Sequence, residues 1–287
     1  MRKQAVVTGA TSGIGLANVE LLLKEGIDVI AVARSEKKKE LLIDKMKPLT
    51  ETGVRLDVVL GDLSQTKSTL KVVEGIKHIL NKTKDKQCDI LMNIAGIVSS
   101  GLHLNEEGNE LTFATNHLSV FILTHALIPY LEKSSDPRIL VVSSLSHYRA
   151  SINFKNIQNF KLYNILKAYK RSKLYNVFFV KEFAKRNPKL PIYAIDPGLV
   201  KTEIGLKNTS KLAASIWKWR VSKGTDAYYP ASFMVKVATE EAYKVHSGSY
   251  IKEGKVVKSN PITYHEDKAK RLWDYTEEVI TPSTKKE

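Results

Sequence analysis

Tyr169-Lys170-Arg171-Ser172-Lys173 sets a phenol and an ammonium four residues apart, and helical spacing puts both on one face, one turn apart. Such a pair can move a proton. A free tyrosine titrates near pH ~10, and a neighbouring cation favours the phenolate, so Tyr169 can exchange a proton with a substrate oxygen at neutral pH. The spacing alone is a weak signal, because it also arises where an aromatic ring packs beside a solvated lysine. Its weight comes from the residues around it.

The β-branched run Ala5-Val6-Val7 passes directly into Thr8-Gly9-Ala10-Thr11-Ser12-Gly13-Ile14-Gly15, after which Leu16, Val19, Leu22 and Leu23 recur at helical spacing. The pattern reads as strand, glycine-rich turn and helix. A turn of this kind lets the backbone approach a pyrophosphate while the helix N-terminus presents unpaired N–H groups and a partial positive charge. Gly9, Thr11, Ser12, Gly13, Ile14 and Gly15 are therefore candidate cofactor contacts. Their spacing is G-x-x-x-G-x-G rather than the commoner G-x-G-x-x-G. A second strand, Asp28–Ala33, ends at Arg34, about twenty residues after the turn. An acidic residue there would bond a ribose 2′-hydroxyl, whereas arginine accommodates a 2′-phosphate. Arg34, with Lys38 one turn later, points to NADP(H) rather than NAD(H).

Strand-like runs recur at Val54–Gly61, Cys88–Asn93, Arg138–Ser143 and Pro191–Ile195, each separated by enough chain for a helix. This alternation predicts an α/β fold, a parallel sheet with right-handed crossovers, whose site lies beyond the C-terminal strand ends. Those ends carry Asp62-Leu63, Asn93-Ile94-Ala95-Gly96, Ser143-Ser144 and Asp196-Pro197-Gly198. Each segment is rich in ordinary turn formers; their joint occurrence at four strand ends is the informative part.

From Lys3 to about Ile280 the chain resembles the short-chain dehydrogenase/reductase family. The markers are Thr8–Gly15, Asn93–Gly96, Asn116, Ser144 with Tyr169 and Lys173, and Pro197-Gly198 followed by Thr202. The interval from Ser144 to Tyr169, the Ser-Lys-Leu segment at 172–174 and the tail Leu272-Trp273 are similar to the branch that contains retinol dehydrogenases and the WW-domain oxidoreductase. The resemblance implies one Rossmann-like, doubly wound domain over residues 1–287. It adds Asp62, Leu63, Asn93, Ala95, Gly96, Tyr169, Lys173, Pro197, Gly198 and Thr202 to the cofactor contacts. Two departures stand out. The family usually shows Asn-Asn-Ala-Gly where this chain has Ile94, so an amide that helps tie neighbouring strands is missing. The retinol dehydrogenase branch commonly carries His where this chain has Asp196, which sets a carboxylate beside the expected nicotinamide position.

The implied mechanism is hydride transfer between nicotinamide and a carbonyl or carbinol carbon, whose oxygen must be served by donors and a proton source. Ser144 would bond that oxygen and Tyr169 exchange the proton. Lys173 would favour the phenolate and bond the nicotinamide ribose, and Asn116 would hold a water linking Lys173 to solvent. His117 and His147 read as structural.

At 287 residues and 43% apolar content, the chain is long enough for one well-buried domain, and no linker, repeat or charge block divides it. The single cysteine, Cys88, excludes an intramolecular disulfide, and no metal-ligand spacing occurs. The first strand begins within a few residues of Met1 and no apolar run approaches the ~18 residues of a membrane span. A soluble, cytoplasmic protein without an anchor is the expectation. The net charge of +15 is concentrated: residues 155–189 hold ten Lys or Arg against Glu182 alone, and residues 201–223 hold six against Glu203. The charge reads as a solvated basic surface or as attraction to anionic membrane or an acidic substrate; no motif accompanies it that would indicate nucleic acid.

The segment at about 198–225 carries Leu199, Ile204, Leu206, Leu212, Ile216, Trp217 and Trp219 among lysines. In the family it covers the substrate, which implies a small apolar or amphipathic carbonyl or alcohol. Trp217 is expected to face the pocket and Trp219 solvent, lipid or a second subunit in a homo-oligomer. Two alternatives accompany the oxidoreductase reading: a regulator that senses NADP(H) without turnover, and a basic protein recruited to membrane surfaces.

Overall fold

The computed structural model describes residues 2–200 and 224–281. Its centre is an eight-stranded sheet of order β3-β2-β1-β4-β5-β6-β7-β8. The strands are β1 (Gln4–Val7), β2 (Asp28–Ala33), β3 (Leu56–Leu60), β4 (Ile90–Asn93), β5 (Arg138–Val142), β6 (Ile192–Asp196), β7 (Tyr250–Lys252) and β8 (Lys255–Val257). All pairings are parallel except β7 with β8. The order reverses between β1 and β4, so the C-terminal ends of these two strands flank the crevice in which such sheets bind ligands.

The central strands are apolar throughout because helices cover both faces. Side chains alternate between two cores: Val6, Leu91, Ile139, Val141, Ile192 and Ala194 enter one, and Ala5, Val7, Ile90, Met92, Leu140 and Ile195 the other. On the second face lie α1 (Gly13–Lys24), α2 (Glu36–Thr50) and α6 (Tyr228–Thr239). On the first lie α3 (Thr66–Lys82), α4 (Leu111–Leu131), α5 (Ile165–Arg186) and α7 (Glu266–Ile280). Trp273 of α7 stacks on Phe179 of α5 and meets Phe121 of α4 edge-on, so three helices share one aromatic seam.

The expected parallel sheet is present, with differences at its margins. Predicted strands at Val54–Gly61 and Cys88–Asn93 are shorter, Leu56–Leu60 and Ile90–Asn93. The edge pair β7 and β8 is additional. These three-residue strands give too short an alternation to read from sequence. One helix corrects the expectation about apolar runs: Leu111–Leu131 is long and apolar enough to cross a membrane by length and composition, and it is mostly buried within the fold. Its apolarity is that of a core helix covered by its neighbours. Cys88 is a buried free thiol, raised well above its ordinary range by burial.

A π-helical turn, Ala114–Leu118, interrupts α4. It presents Asn116 and His117 inward, both buried. His117 sits between Asn176 Oδ1 and Thr276 Oγ1, at 3.2 Å from each, and so joins α4, α5 and α7. Burial pushes it down from 6.5 to about 4. An open chain therefore takes up this proton more readily between those values. Stability should be unaffected by His117 above pH 6.5 and fall as pH drops from 6.5 towards 4, by up to ~3 kcal/mol. Burial shifts His125 and His147 in the same direction. Urea unfolding of the wild type should weaken steadily from pH 7 to pH 5, and the slope should be shallower in His117→Asn. Equal slopes in the two proteins would remove His117 as a source of the acid sensitivity.

Candidate active site

The glycine-rich turn takes its shape from three different constraints. Gly9 and Gly13 have φ of +67° and +51°, a region that L side chains rarely adopt. Gly15 has ordinary dihedrals, but a Cβ there would collide with the Gly9 carbonyl, so the turn can fold onto the start of α1 only without a side chain. A Cβ at Gly9 would come within 3.0 Å of the Ala95 backbone, which measures how closely the turn approaches the end of β4. Ser12 precedes α1 without capping it, and no acidic residue lies in the first turn. The helix N-terminus thus keeps unpaired N–H groups directed at the crevice. Ser12 is exposed and Thr11 half-buried, whereas Ile14 packs into the core.

Thr8, a residue not singled out for a role by its sequence, ties β1 to β4. Its Oγ1 accepts from the N–H groups of Ile94 (2.9 Å) and Ala95 (3.1 Å), and its own N–H bonds Met92 O at 3.0 Å. Here a hydroxyl makes a strand tie where an amide was missed at position 94, while the Ile94 side chain packs into the core. Asn93 Nδ2 donates to Thr124 Oγ1 at 3.1 Å, and its Oδ1 is buried without a partner among the described residues. Arg34 is exposed at the end of β2, and no hydrogen bond or ion pair engages it among the described residues. Lys38 is exposed in the first turn of α2. At the end of β3, Asp62 Oδ1 accepts from Ser64 N and its N–H donates to Ser68 Oγ; Leu63 is buried. The cradle that a Cβ would fill and the uncapped helix start together fit the pyrophosphate of a dinucleotide.

The end of β5 and helix α5 are fastened together around Lys173. Its Nζ donates to Val142 O at 3.1 Å, and Ser143 Oγ donates to Lys173 O at 2.8 Å. Lys173 is buried and desolvation lowers it from 10.5 to about 8. Its ammonium lies 5.8 Å from the Tyr169 ring centroid, the one-turn adjacency that the spacing implied. Asn116 reaches the same place from α4: its Nδ2 donates to Ser172 Oγ and to Ile97 O, each at 3.0 Å, and its Oδ1 accepts from Ile97 N at 2.7 Å. Both Nδ2 hydrogens are thus engaged by protein, and Oδ1 accepts one bond. Gly96 closes the cluster, since a Cβ there would lie 3.3 Å from Asn116 Oδ1 and 3.4 Å from Lys173 Nζ. The structure therefore brings Gly96, Asn116, Tyr169 and Lys173 together beside Ser143-Ser144.

Ser144 caps the short helix Leu145–Arg149, its Oγ accepting from Ser146 N at 3.2 Å. His147 follows one turn later and is held from two sides. Its Nε2 accepts from Asn260 N–H at 3.0 Å, so the proton resides on Nδ1 and is donated to Ser144 O at 2.8 Å. Asn260 Nδ2 also donates to the carbonyls of His147, Tyr148 and Ala150. Asp196 is buried, and its carboxylate accepts from Tyr250 OH (2.7 Å) and Gly198 N (3.0 Å). The carboxylate thus reaches Tyr250 on β7 and the Pro197-Gly198 turn; Gly198 has φ of +75°. Tyr250 and Asn260 carried no sequence signal, because their roles depend on contacts across 54 and 113 residues.

The expectation of a solvated basic surface over 155–189 changes in part. Of the ten basic residues in 155–189, Arg171 and Lys173 are buried. Arg171 bonds Ser151 O, Asn156 O and Asn159 Oδ1. Thr202, Trp217, Trp219 and nearly all of the expected substrate cover lie outside the described residues.

Residues 3–213 match the model of the short chain dehydrogenase family. Retinol dehydrogenase 12 of Bos taurus is 32% identical over 280 residues, covering 97% of this chain and 86% of that protein. Retinol dehydrogenase 11 of Homo sapiens is 31% identical over 281 residues with the same coverage. Polyprenol dehydrogenase of Homo sapiens is 28% identical over 280 residues, covering 94% and 82%. Among solved structures, an uncharacterized protein from Mycobacterium Paratuberculosis superposes with a TM-score of 0.74 at 25% identity, over 97% of this chain and 93% of that one. A short chain dehydrogenase from Burkholderia cenocepacia J2315, in complex with NADP, shares the fold with a TM-score of 0.68 at 20% identity, over 87% and 95%. On the site geometry, the family match and these relatives, the chain belongs to the short-chain dehydrogenase/reductase family of oxidoreductases, in its retinol dehydrogenase branch.

Proposed function

We propose that this protein is an NADP(H)-dependent oxidoreductase of a single nicotinamide-binding domain, acting on the carbonyl or alcohol of a small apolar or amphipathic molecule. The observation that carries the reading is the buried Lys173 ammonium beside the Tyr169 ring at the end of β5. When bound, the nicotinamide supplies or accepts a hydride. The protein's own residues do the rest. Gly9, Thr11, Ser12, Gly13 and Gly15 would hold the pyrophosphate, with Ile14 anchoring the turn in the core. Arg34 and Lys38 would hold the 2′-phosphate, and Asp62-Leu63 with Asn93, Ala95 and Gly96 would border the remaining nucleotide. Pro197, Gly198 and Thr202 would border the nicotinamide side.

In this reading Ser144 bonds the substrate oxygen and Tyr169 OH delivers or removes its proton. The Lys173 ammonium stabilises the phenolate left when that proton departs, and its remaining hydrogens would bond the nicotinamide ribose hydroxyls. Asn116, whose amide hydrogens hold Ser172 Oγ and Ile97 O, would hold a water that links Lys173 to solvent. Intact Ser144, Tyr169 and Lys173 favour turnover over a purely cofactor-sensing role.

Tyr169→Phe should fold and retain NADPH affinity while turnover falls about 10²- to 10⁴-fold; Lys173→Ala should lose both rate and affinity. Steady-state kinetics on aldehydes and ketones with fluorescence titration of NADPH separate the two effects. Near-normal turnover in Tyr169→Phe would exclude this phenol from the proton path.

Wild type should bind NADPH about ten- to 150-fold more tightly than NADH, from one charge-assisted hydrogen bond worth ~1.5–3 kcal/mol. Arg34→Ala should abolish most of that ratio. An unchanged ratio would place the 2′-phosphate elsewhere.

A further inference from the structure

Between the end of β5 and the start of α5, residues 151–164 form a loop that is firmly seated underneath. Ile157, Gln158 and Asn159 are buried. Arg171 reaches up from α5 to Ser151 O, Asn156 O and Asn159 Oδ1, and Tyr175 OH donates to Ile157 O at 2.9 Å. Asn156 closes the outer turn in both directions, its Nδ2 donating to Lys161 O and its Oδ1 accepting from Lys161 N. Tyr163 OH is held by Glu110 at 2.9 Å. This well-fastened loop nevertheless presents apolar side chains to solvent: Leu162 is 95% exposed, with Phe160 and Leu166 exposed on either side of it. Leu162 also has φ of +50°, a conformation unfavourable for an L-residue. A leucine held in that region by surrounding hydrogen bonds, and pointed away from every core, is a feature the fold maintains without gain in its own packing.

Within the loop and the first turns of α5 the charge has one sign. No acidic residue occurs between Asp136 and Glu182. Lys155, Lys161 and Lys167 are exposed beside the apolar tip, and none of them is ion-paired among the described residues. Arg271 of α7 lies over the Phe154 ring at 4.1 Å, adding a cation at the loop's flank. The one carboxylate that the loop touches among the described residues, Glu110, is buried beneath it.

We propose that residues 160–167 dock this protein onto an anionic lipid surface, with Phe160, Leu162 and Leu166 entering the interface and Lys155, Lys161 and Lys167 facing the headgroups. A protruding apolar tip needs either a matching cavity or a deformable partner, and a ring of unpaired lysines selects the negatively charged, deformable one. The loop lies at the C-terminal end of the sheet, the same end as the candidate active site. Docking there would bring that end to the membrane, from which an apolar substrate would be drawn. This consequence rests on the oxidoreductase reading, whereas the docking does not.

The test is sedimentation of the full chain with vesicles of phosphatidylcholine alone or containing phosphatidylserine. Binding is expected only with phosphatidylserine and should weaken as salt rises. Phe160→Ser/Leu162→Ser should lower the affinity at least tenfold, and Lys161→Glu/Lys167→Glu by more than the about fivefold expected for each lysine lost. Lys82→Glu/Lys84→Glu, at the opposite end of the sheet, should leave binding unchanged. Circular dichroism and the thermal midpoint verify that each variant folds, and turnover of a water-soluble aldehyde reports separately on the oxidoreductase reading. Failure to bind phosphatidylserine vesicles, or undiminished binding in both loop variants, overturns the proposal. So does a concentration-dependent dimer in analytical ultracentrifugation that Phe160→Ser/Leu162→Ser converts to monomer without lipid dependence, which would assign the loop to a second copy of the chain.

Discussion

A lysine ammonium buried at the end of a β-strand is the constraint on which the rest of the site depends. Lys173 is taken out of water at a cost of ~3 kcal/mol, judged from its displacement to about 8. What offsets that cost is local. Val142 O accepts one hydrogen bond from the ammonium, and the aromatic ring of Tyr169 lies 5.8 Å away. For this to work α5 must approach β5 closely, which the small buried residues Ala168, Ser172 and Ser143 permit. Asn116 reaches Ser172 and Ile97 from the π turn of α4, and the glycine at position 96 leaves room for both side chains. One buried cation thus sits where a helix contact, a helix irregularity and a glycine meet.

The C-terminal part of the chain supplies a second frame around the same end of the sheet. Tyr250 on β7 holds Asp196, and Asp196 holds the Gly198 N–H, so the turn after β6 is set by an element added later in sequence. Asn260 fixes the tautomer of His147, and His147 fixes the carbonyl of Ser144. Tyr250 and His147 also pack ring against ring, with centroids 4.5 Å apart. The positions of Ser144 and Pro197-Gly198 are therefore coupled through side chains that meet neither cofactor nor substrate in the proposed arrangement. Asp196 belongs to this frame, which gives its carboxylate structural partners in Tyr250 and Gly198.

The high positive charge divides into groups with different physics. Lys173 and Arg171 are interior, one at the candidate site and one holding the loop before α5. Arg186 is paired with Glu182 and lies over Trp273, and Lys181 lies over the Tyr264 ring; these are contacts that hold α5 to the C-terminal segment. Lys155, Lys161 and Lys167 remain exposed around Leu162. Net charge alone treats all of them alike, although the last group is exposed and the others are committed to contacts within the protein.

Much of the architecture was legible in the sequence because it is written in short-range patterns. The alternation of apolar strands with helices, Gly9, Gly13 and Gly15 with their backbone requirements, the acidic, amide and serine residues at strand ends, and the one-turn spacing of Tyr169 and Lys173 are all local, and each has a steric or electrostatic reason that neighbours in sequence suffice to reveal. Tertiary structure decided what those patterns leave open. Whether Asp196 faces the crevice or β7, whether Thr8 or a second amide ties β1 to β4, and whether Arg171 is solvated or buried depend on groups brought together from distant parts of the chain. The same holds for Leu111–Leu131, whose apolarity marks a core helix only once its neighbours are seen to cover it. Periodicity fixes which way an isolated element can face; which partner meets that face is a property of packing, set by the sum of contacts across the whole sheet.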